Sequence, residues 1–188
     1  VGSAPSGAGK SSLCEGLLKN VLGLSYSVST TTRKKRPGEE DGVHYDFVSE
    51  ETFARMRAAD AFAECAEVHG HWYGTKRAVI EEARTSGRDL VFDIDIQGAR
   101  RLRASYPDGV FIFIYPPSMG ILEERLRKRR TESPEDLARR LSNARLEMRE
   151  AWAYDYIVIN DVFDTALDRL RSIILAESLR TSRFVPPS

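Results

Sequence analysis

The chain has 188 residues, and its 28 Lys and Arg are matched by 28 Asp and Glu, so the formal net charge at neutral pH is +0. No global field recruits nucleic acid or an anionic membrane, and any positive potential for phosphates has to be built locally. The length suits one α/β domain with a sizeable core, and no apolar run approaches a membrane span.

The chain opens Val1-Gly2-Ser3-Ala4-Pro5-Ser6-Gly7-Ala8-Gly9-Lys10-Ser11-Ser12 and runs on into an apolar helical pattern through Leu13, Leu17, Leu18, Val21 and Leu22. This reads as a strand end, a glycine-rich turn and a helix N-terminus. Such a turn points successive backbone N–H groups at a phosphate, and the helix dipole adds positive potential at the same place. Ala4 stands where the strict pattern G-x-x-x-x-G-K-[ST] has its first Gly, and Ala is the smallest alternative. Residues Ala4, Pro5, Ser6, Gly7, Ala8, Gly9, Lys10, Ser11 and Ser12 are therefore expected to cradle nucleotide phosphates. Lys10 supplies a cation for the β- and γ-phosphates, and the Ser11 hydroxyl is placed for Mg²⁺. A Gly/Ser linker is the plainer alternative, but linkers are not followed at once by Lys-Ser-Ser and an amphipathic helix. The first strand is short for a buried parallel strand, so the sequence is expected to start inside the native chain.

Leu24 to Ser29 alternates like a strand and leads into Thr30-Thr31-Thr32-Arg33-Lys34-Lys35-Arg36-Pro37-Gly38-Glu39. Four consecutive cations could be a solvated run. With three hydroxyls before them and a Pro-Gly turn after them, they also resemble a second anion site. Val43 to Val48 reads as a strand with Val43, Tyr45 and Phe47 on one face. Ser49 caps a short acidic-starting helix through Phe53 and Met56, and residues 61–68 and 71–74 read as a hairpin turned at His69-Gly70. Residues 25–74 thus look like an inserted lobe of mostly antiparallel strands.

From Lys76 the pattern is helical as far as Gly87. Leu90-Val91-Phe92-Asp93-Ile94-Asp95 then reads as a strand ending in two carboxylates, where ligands of parallel α/β sheets bind. A short helix over Gln97–Ser105 and a buried strand over Val110–Tyr115 follow, and Pro116-Pro117-Ser118 caps the next helix. A break at Thr131-Glu132-Ser133-Pro134 starts a long helix to about Ala153. Tyr156 to Asp161 reads as another buried strand and Thr165 to Leu179 as a closing helix. The whole predicts an α/β fold: a parallel-sheet core with flanking helices, an inserted β lobe and a helical lid. Cys14 and Cys65 lack a C-x-x-C partner and read as buried free thiols. With no leader pattern at the opening, a cytoplasmic location is expected.

Several of these pieces, in this order, resemble the guanylate kinase family across essentially the whole chain: Ala4 to Ser12, Val28 to Glu39, Tyr45-Asp46-Phe47, Phe62-Ala63-Glu64, Tyr73-Gly74-Thr75, Asp93 to Gly98 and Ile159-Asn160-Asp161. The resemblance implies a P-loop core (residues 1–29, 76–119 and 147–188), a GMP-binding lobe (30–75) and a lid (120–146). It implies that Arg33, Arg36, Tyr45 and Tyr73 hold the GMP phosphate. Glu64 would accept from the guanine N1–H and N2–H₂, Ser29 and Thr75 would touch the remaining polar edge, and Asp95 would be a second carboxylate near the base. A carboxylate can only accept, and adenine presents an acceptor at N1, so Glu64 selects G over A. Each position has a plainer alternative: the tyrosines could pack a hairpin, Glu64 could be solvated, and Asp93 and Asp95 could cap a helix.

The implied reaction is Mg²⁺-dependent transfer from ATP to GMP or dGMP, giving ADP and GDP in purine nucleotide metabolism. Lys10, Arg33, Arg129 and Arg140 would be the catalytic cations, the last two on the lid. Asp93 would lie in the outer shell of the Mg²⁺, and Asn160 near adenine. The three His, at 44, 69 and 71, show no nucleophile or metal pattern. The main rival is a guanylate-kinase-like interaction module that keeps the fold without catalysis. Such modules usually carry a damaged P-loop, whereas Lys10 and Ser11 are present here. The sequence leaves monomer and homo-oligomer both open.

Overall fold

A computed structural model describes residues 1–68, 70–128 and 133–183. In chain order the elements begin with β1 (Gly2–Ser3), α1 (Lys10–Asn20), β2 (Leu24–Tyr26), β3 (Thr30–Thr31), β4 (Asp46–Phe47) and α2 (Glu50–Ala58). Next come β5 (Phe62–Val68), β6 (His71–Lys76), α3 (Arg77–Ser86), β7 (Asp89–Val91) and α4 (Ile96–Ser105). The remainder is β8 (Ile112–Tyr115), α5 (Met119–Lys128), α6 (Pro134–Arg149), β9 (Tyr156–Ile159) and α7 (Phe163–Ser178), with 3-10 turns at Glu150–Ala153 and Thr181–Arg183.

Two compact units emerge: Val1–Leu22 with Val110–Ser188, and Gly23–Gly109. Residues 23–29 and 76–109, which the sequence groups with the core, fall in the second unit because β2 pairs with β7.

The first unit is built on a parallel sheet in the order β1-β8-β9. Strands β8 and β9 are short, largely apolar runs, and Phe113, Ile114 and Val158 on them, with Phe111 just before β8, are buried. Leu13 and Leu17 on α1 and Ala166 and Leu170 on α7 are buried as well, from the apolar stripes of those two helices. A smaller cluster of Leu122, Leu126 and Ala144, flanked by Met119, Leu137 and Leu141, joins α5 to α6. Both helices start at a serine: the Ser118 Oγ accepts from the Ile121 amide at 3.1 Å, and the Ser133 Oγ accepts from the Asp136 amide at 3.1 Å, with Pro134 at the first position. The long helix expected to reach Ala153 ends at Arg149 and tightens into a 3-10 turn.

The second unit holds a parallel pair, β2 with β7, and a four-stranded sheet in the order β4-β3-β6-β5. The latter is mixed: β3–β6 and β5–β6 are antiparallel, while β3–β4 is parallel. Its underside packs on Phe53 of α2, which stacks on Phe62 with ring centroids 4.4 Å apart. The strand expected over Val43–Val48 is reduced to Asp46–Phe47. The chain turns at residues 42–44, where the Glu40 carbonyl accepts the His44 amide at 3.0 Å and the His44 Nδ1 accepts the Glu40 amide at 2.9 Å. Similarly, the strand expected to run to Asp95 stops at Val91, and the chain turns into α4.

Candidate functional site

The first unit carries a phosphate-type cradle. The chain leaves β1 at the fully buried Ser3, folds back so that the Ala8 amide meets the Pro5 carbonyl at 3.1 Å, and enters α1 at Lys10. Gly7 and Gly9 both have φ of +89°, a conformation that side chains strongly disfavour. Space is also lacking: a Cβ at Gly7 would lie 2.9 Å from Leu126 Cδ2, and one at Gly9 would lie 2.4 Å from Asn160 Nδ2. Glycine at both places lets the loop close without that strain. Lys10 and Ser11 occupy the first two positions of α1, at the positive end of the helix dipole, where an anion is favoured.

Three further groups hold the loop. Asn160, at the end of β9 and 5% exposed, donates its side-chain amide to the Ala8 carbonyl at 2.7 Å. The Asn160 carbonyl in turn accepts from Arg125 NH2 at 3.0 Å. Arg140, on α6, donates to Ser6 Oγ at 3.4 Å. Arg129 lies outside the described residues. The sequence reading places Asn160 beside adenine and overlooks Arg125, whose only signal there is its position four residues before Arg129.

The second unit carries a pocket of another kind. Arg33, 9% exposed, donates to Glu39 through NH2 at 2.6 Å and NH1 at 3.0 Å, and NH1 also reaches the Lys34 carbonyl at 2.8 Å. Its guanidinium carbon lies 5.4 Å from the centre of the Tyr45 ring and 5.6 Å from that of Phe47. Tyr45 and Tyr73 meet edge to face at 5.9 Å. The hydrogen bonds that Arg33 donates to Glu39, and secondarily to Tyr73, push its pKa up against burial, and burial pushes the Tyr45 phenol up, with the nearby Asp93 charge adding to it. Arg36 meets the group through its backbone amide, which donates to Glu39 Oε2 at 2.7 Å. The Ser29 carbonyl accepts the Asp46 amide at 2.9 Å, fixing the strand pair that leads into this pocket.

A carboxylate site sits on the same unit. Glu64, on β5, is 8% exposed, and its Oε1 accepts from the hydroxyl of the fully buried Thr75 at 2.7 Å. Burial raises the Glu64 pKa, with the Thr75 hydrogen bond opposing and the Asp95 charge reinforcing that rise. Asp95 caps α4, accepting from the Gly98 amide at 2.7 Å, so the capping alternative for this residue is realised. A buried carboxylate can accept from a pair of adjacent N–H groups, and a fork-shaped guanidinium beside two phenols can take a phosphate. The structure thus brings Arg33, Tyr45 and Tyr73 together, and Glu64, Thr75 and Asp95 together.

The residues that would serve a divalent cation fit Mg²⁺ carried by a nucleotide. Ser11 offers one hydroxyl at an exposed helix start. Among the described residues no group of three or more His, Cys, Asp or Glu forms an all-protein cage, and Mg²⁺ on a nucleotide draws its oxygens mainly from phosphates and water.

A parallel strand feeding a glycine turn and a helix N-terminus with Lys and Ser at its head defines a P-loop nucleotide-binding protein of the α/β class. The family model for guanylate kinase matches residues 1–177, and the chain belongs to the guanylate kinase family. The guanylate kinase of Syntrophotalea carbinolica is 53% identical over 182 residues, covering 97% of this chain and 87% of that protein. The guanylate kinase of Symbiobacterium thermophilum is 50% identical over 181 residues, covering 96% and 86%. Among solved structures, the crystal structure of guanylate kinase from Anaplasma phagocytophilum superposes with a TM-score of 0.76 at 35% identity, over 97% of this chain and 86% of that one.

Proposed function

We propose that the chain transfers the γ-phosphoryl group of ATP to GMP, and to dGMP, giving ADP and GDP in cytoplasmic purine nucleotide metabolism. It is an enzyme, an ATP:GMP phosphotransferase. The observation that carries the reading is the buried Glu64 held by Thr75 on the same unit as the Arg33–Tyr45–Tyr73 pocket, in a chain of this family.

An oxygen of the GMP phosphate attacks the γ-phosphorus, and the bond to the β-phosphate oxygen breaks, leaving ADP. The second pKa of a phosphate monoester is near about 6, so the attacking oxygen is already ionised at neutral pH and no general base is needed. What the protein has to do is orient two polyanions in line and neutralise the moving charge. Ala4 to Ser12 bind the ATP phosphates, with Lys10 on the β- and γ-groups. Arg33, Arg36, Tyr45 and Tyr73 hold the GMP phosphate, and Arg33 bridges donor and acceptor. Glu64 accepts from the guanine N–H pair, with Ser29, Thr75 and Asp95 at the rest of its edge. Residues 120–146 act as a lid over a core of 1–29, 76–119 and 147–188, with 30–75 as the GMP lobe. Arg140 and Arg129 close from that lid and exclude water, and Asn160 serves the adenine side. When bound, Mg²⁺ would neutralise charge on the ATP phosphates, held by Ser11 with Asp93 in its outer shell.

The interaction-module alternative is not favoured: the cradle keeps Lys10, Ser11 and both loop glycines, and α6 brings Arg140 onto Ser6. A coupled assay across GMP, dGMP, AMP, CMP and UMP tests the reading. Turnover confined to GMP and dGMP is expected, and comparable rates with AMP would overturn it.

A further inference from the structure

Gly98 is the third residue of α4 and is buried, and its φ lies outside the left-handed region. Its backbone therefore asks nothing that another residue could not supply, and by helix propensity alone Ala would suit the position better. What Ala would meet is specific. A Cβ built there lies 2.9 Å from Glu64 Oε2, 3.1 Å from Asp95 Oδ1 and 3.3 Å from Glu64 Cδ. The nearest atoms are thus carboxylate oxygens of the residues assigned to the base. The other Glu64 oxygen is tied to Thr75 at 2.7 Å, so the carboxylate cannot retreat from a methyl group without stretching that bond.

We infer, resting on the assignment of Glu64 as the guanine acceptor, that Gly98 is a specificity-positioning residue. The absence of a side chain on the first turn of α4 lets the Glu64 carboxylate approach the helix start while Thr75 holds its other oxygen, the position from which it accepts from the guanine N1–H and N2–H₂. Gly98 itself touches no substrate. It acts through Glu64, on the acceptor base alone, and has no hold on the ATP side or on the GMP phosphate.

The test uses the full chain with Gly98→Ala, Glu64→Gln and the double variant. KM and kcat are measured for GMP and AMP at saturating ATP, alongside GMP binding by calorimetry and thermal melting. Gly98→Ala is expected to weaken GMP binding and raise its KM about tenfold, the order of effect of one misaligned charged hydrogen bond. The KM for ATP and the melting temperature should hold, and the preference for GMP over AMP should fall. In the Glu64→Gln background the same Ala should change the KM for GMP by less than about twofold, because residues acting through one contact are not additive. An equal effect of Gly98→Ala in both backgrounds overturns the inference. So does a lowered melting temperature with matching losses for GMP and AMP, which would mark a purely structural role. If Glu64→Gln itself leaves the GMP/AMP preference unchanged, the assignment of Glu64 fails first and the role of Gly98 goes with it. If Glu64→Gln collapses that preference and Gly98→Ala does not move it, only the role of Gly98 is lost.

Discussion

Arg33 and Glu39 form a two-armed ion pair, NH2 to Oε1 at 2.6 Å and NH1 to Oε2 at 3.0 Å, and the second oxygen also takes the Arg36 amide at 2.7 Å. Glu39 thus holds the guanidinium beside the Tyr45 and Phe47 rings, and a fork that fits a carboxylate can also fit a phosphate.

The Arg33 and Arg36 contacts hold the Glu39 carboxyl down at about 2, from an ordinary value of 4.5. A depressed carboxyl stabilises the folded state above its unfolded pKa, and the contribution disappears as pH falls through the folded one. The stability gap between the natural chain and Glu39→Gln is therefore expected to be full above about pH 4.5 and to shrink towards pH 2. Chemical denaturation of both proteins at several pH values checks this; a gap that stays constant through that window would remove Glu39 from the account.

Lys10 heads α1, directly after two glycines that have no room for a side chain. Its ammonium is assigned to the ATP phosphates alone. Lys10→Ala should lower kcat by about a hundredfold or more, the usual loss when one donor to a developing charge is removed. GMP binding measured by calorimetry should remain. Normal turnover in this variant would take the cradle out of the mechanism.

Glu64 yields a pH signature. Burial raises its pKa, and the guanine pair can be accepted only by the ionised form, so acid weakens GMP recognition at a pH above the usual carboxylate range. The phosphate of GMP titrates nearby and would blur this in a single profile. AMP carries the same phosphate, so the ratio of kcat/KM for the two substrates cancels that titration. The GMP/AMP ratio is expected to fall as pH drops and to become flat in Glu64→Gln. A ratio that does not vary with pH in the natural chain would count against Glu64 as the base acceptor.

The cradle is legible in the sequence because everything it needs is local: two glycines, a lysine and a helix pattern within a dozen residues. The helix starts at Ser49, Ser133 and Pro134 are legible for the same reason. Val43 to Val48 misleads because alternation is also what a turn followed by a short strand looks like, and nothing in those six residues reports that the chain doubles back at Gly42–His44. The Arg33–Glu39 pair hides in a loop, where partners are chosen by backbone shape instead of spacing. Gly98 reads in the sequence as one more motif glycine; its significance appears only when β5 sets Glu64 against it. The acceptor residues themselves could be named through family resemblance, since tyrosines and a glutamate on short strands carry no periodic signal of their own.

Asn160 supports the last prediction. Its amide reaches the Ala8 carbonyl at 2.7 Å in a site from which water is largely excluded, and the same nitrogen fills the space over Gly9. Truncation to Ala removes the donor and leaves a buried carbonyl short of a partner, at a cost of about 1–3 kcal/mol. For a chain of this size that lowers the melting temperature by about 2–12 °C. The KM for ATP should rise through the loosened loop while the KM for GMP holds. Asn160→Asp, which keeps the shape but cannot donate, should do at least as much harm, because it turns a carboxylate towards a carbonyl. Thermal melting with ATP and GTP as alternative donors separates support of the loop from contact with adenine. Loss of stability with an unchanged ATP/GTP preference marks the loop anchor, whereas unchanged stability with a relaxed donor preference would mean that Asn160 acts on the base of the donor nucleotide and not on the loop beneath its phosphates.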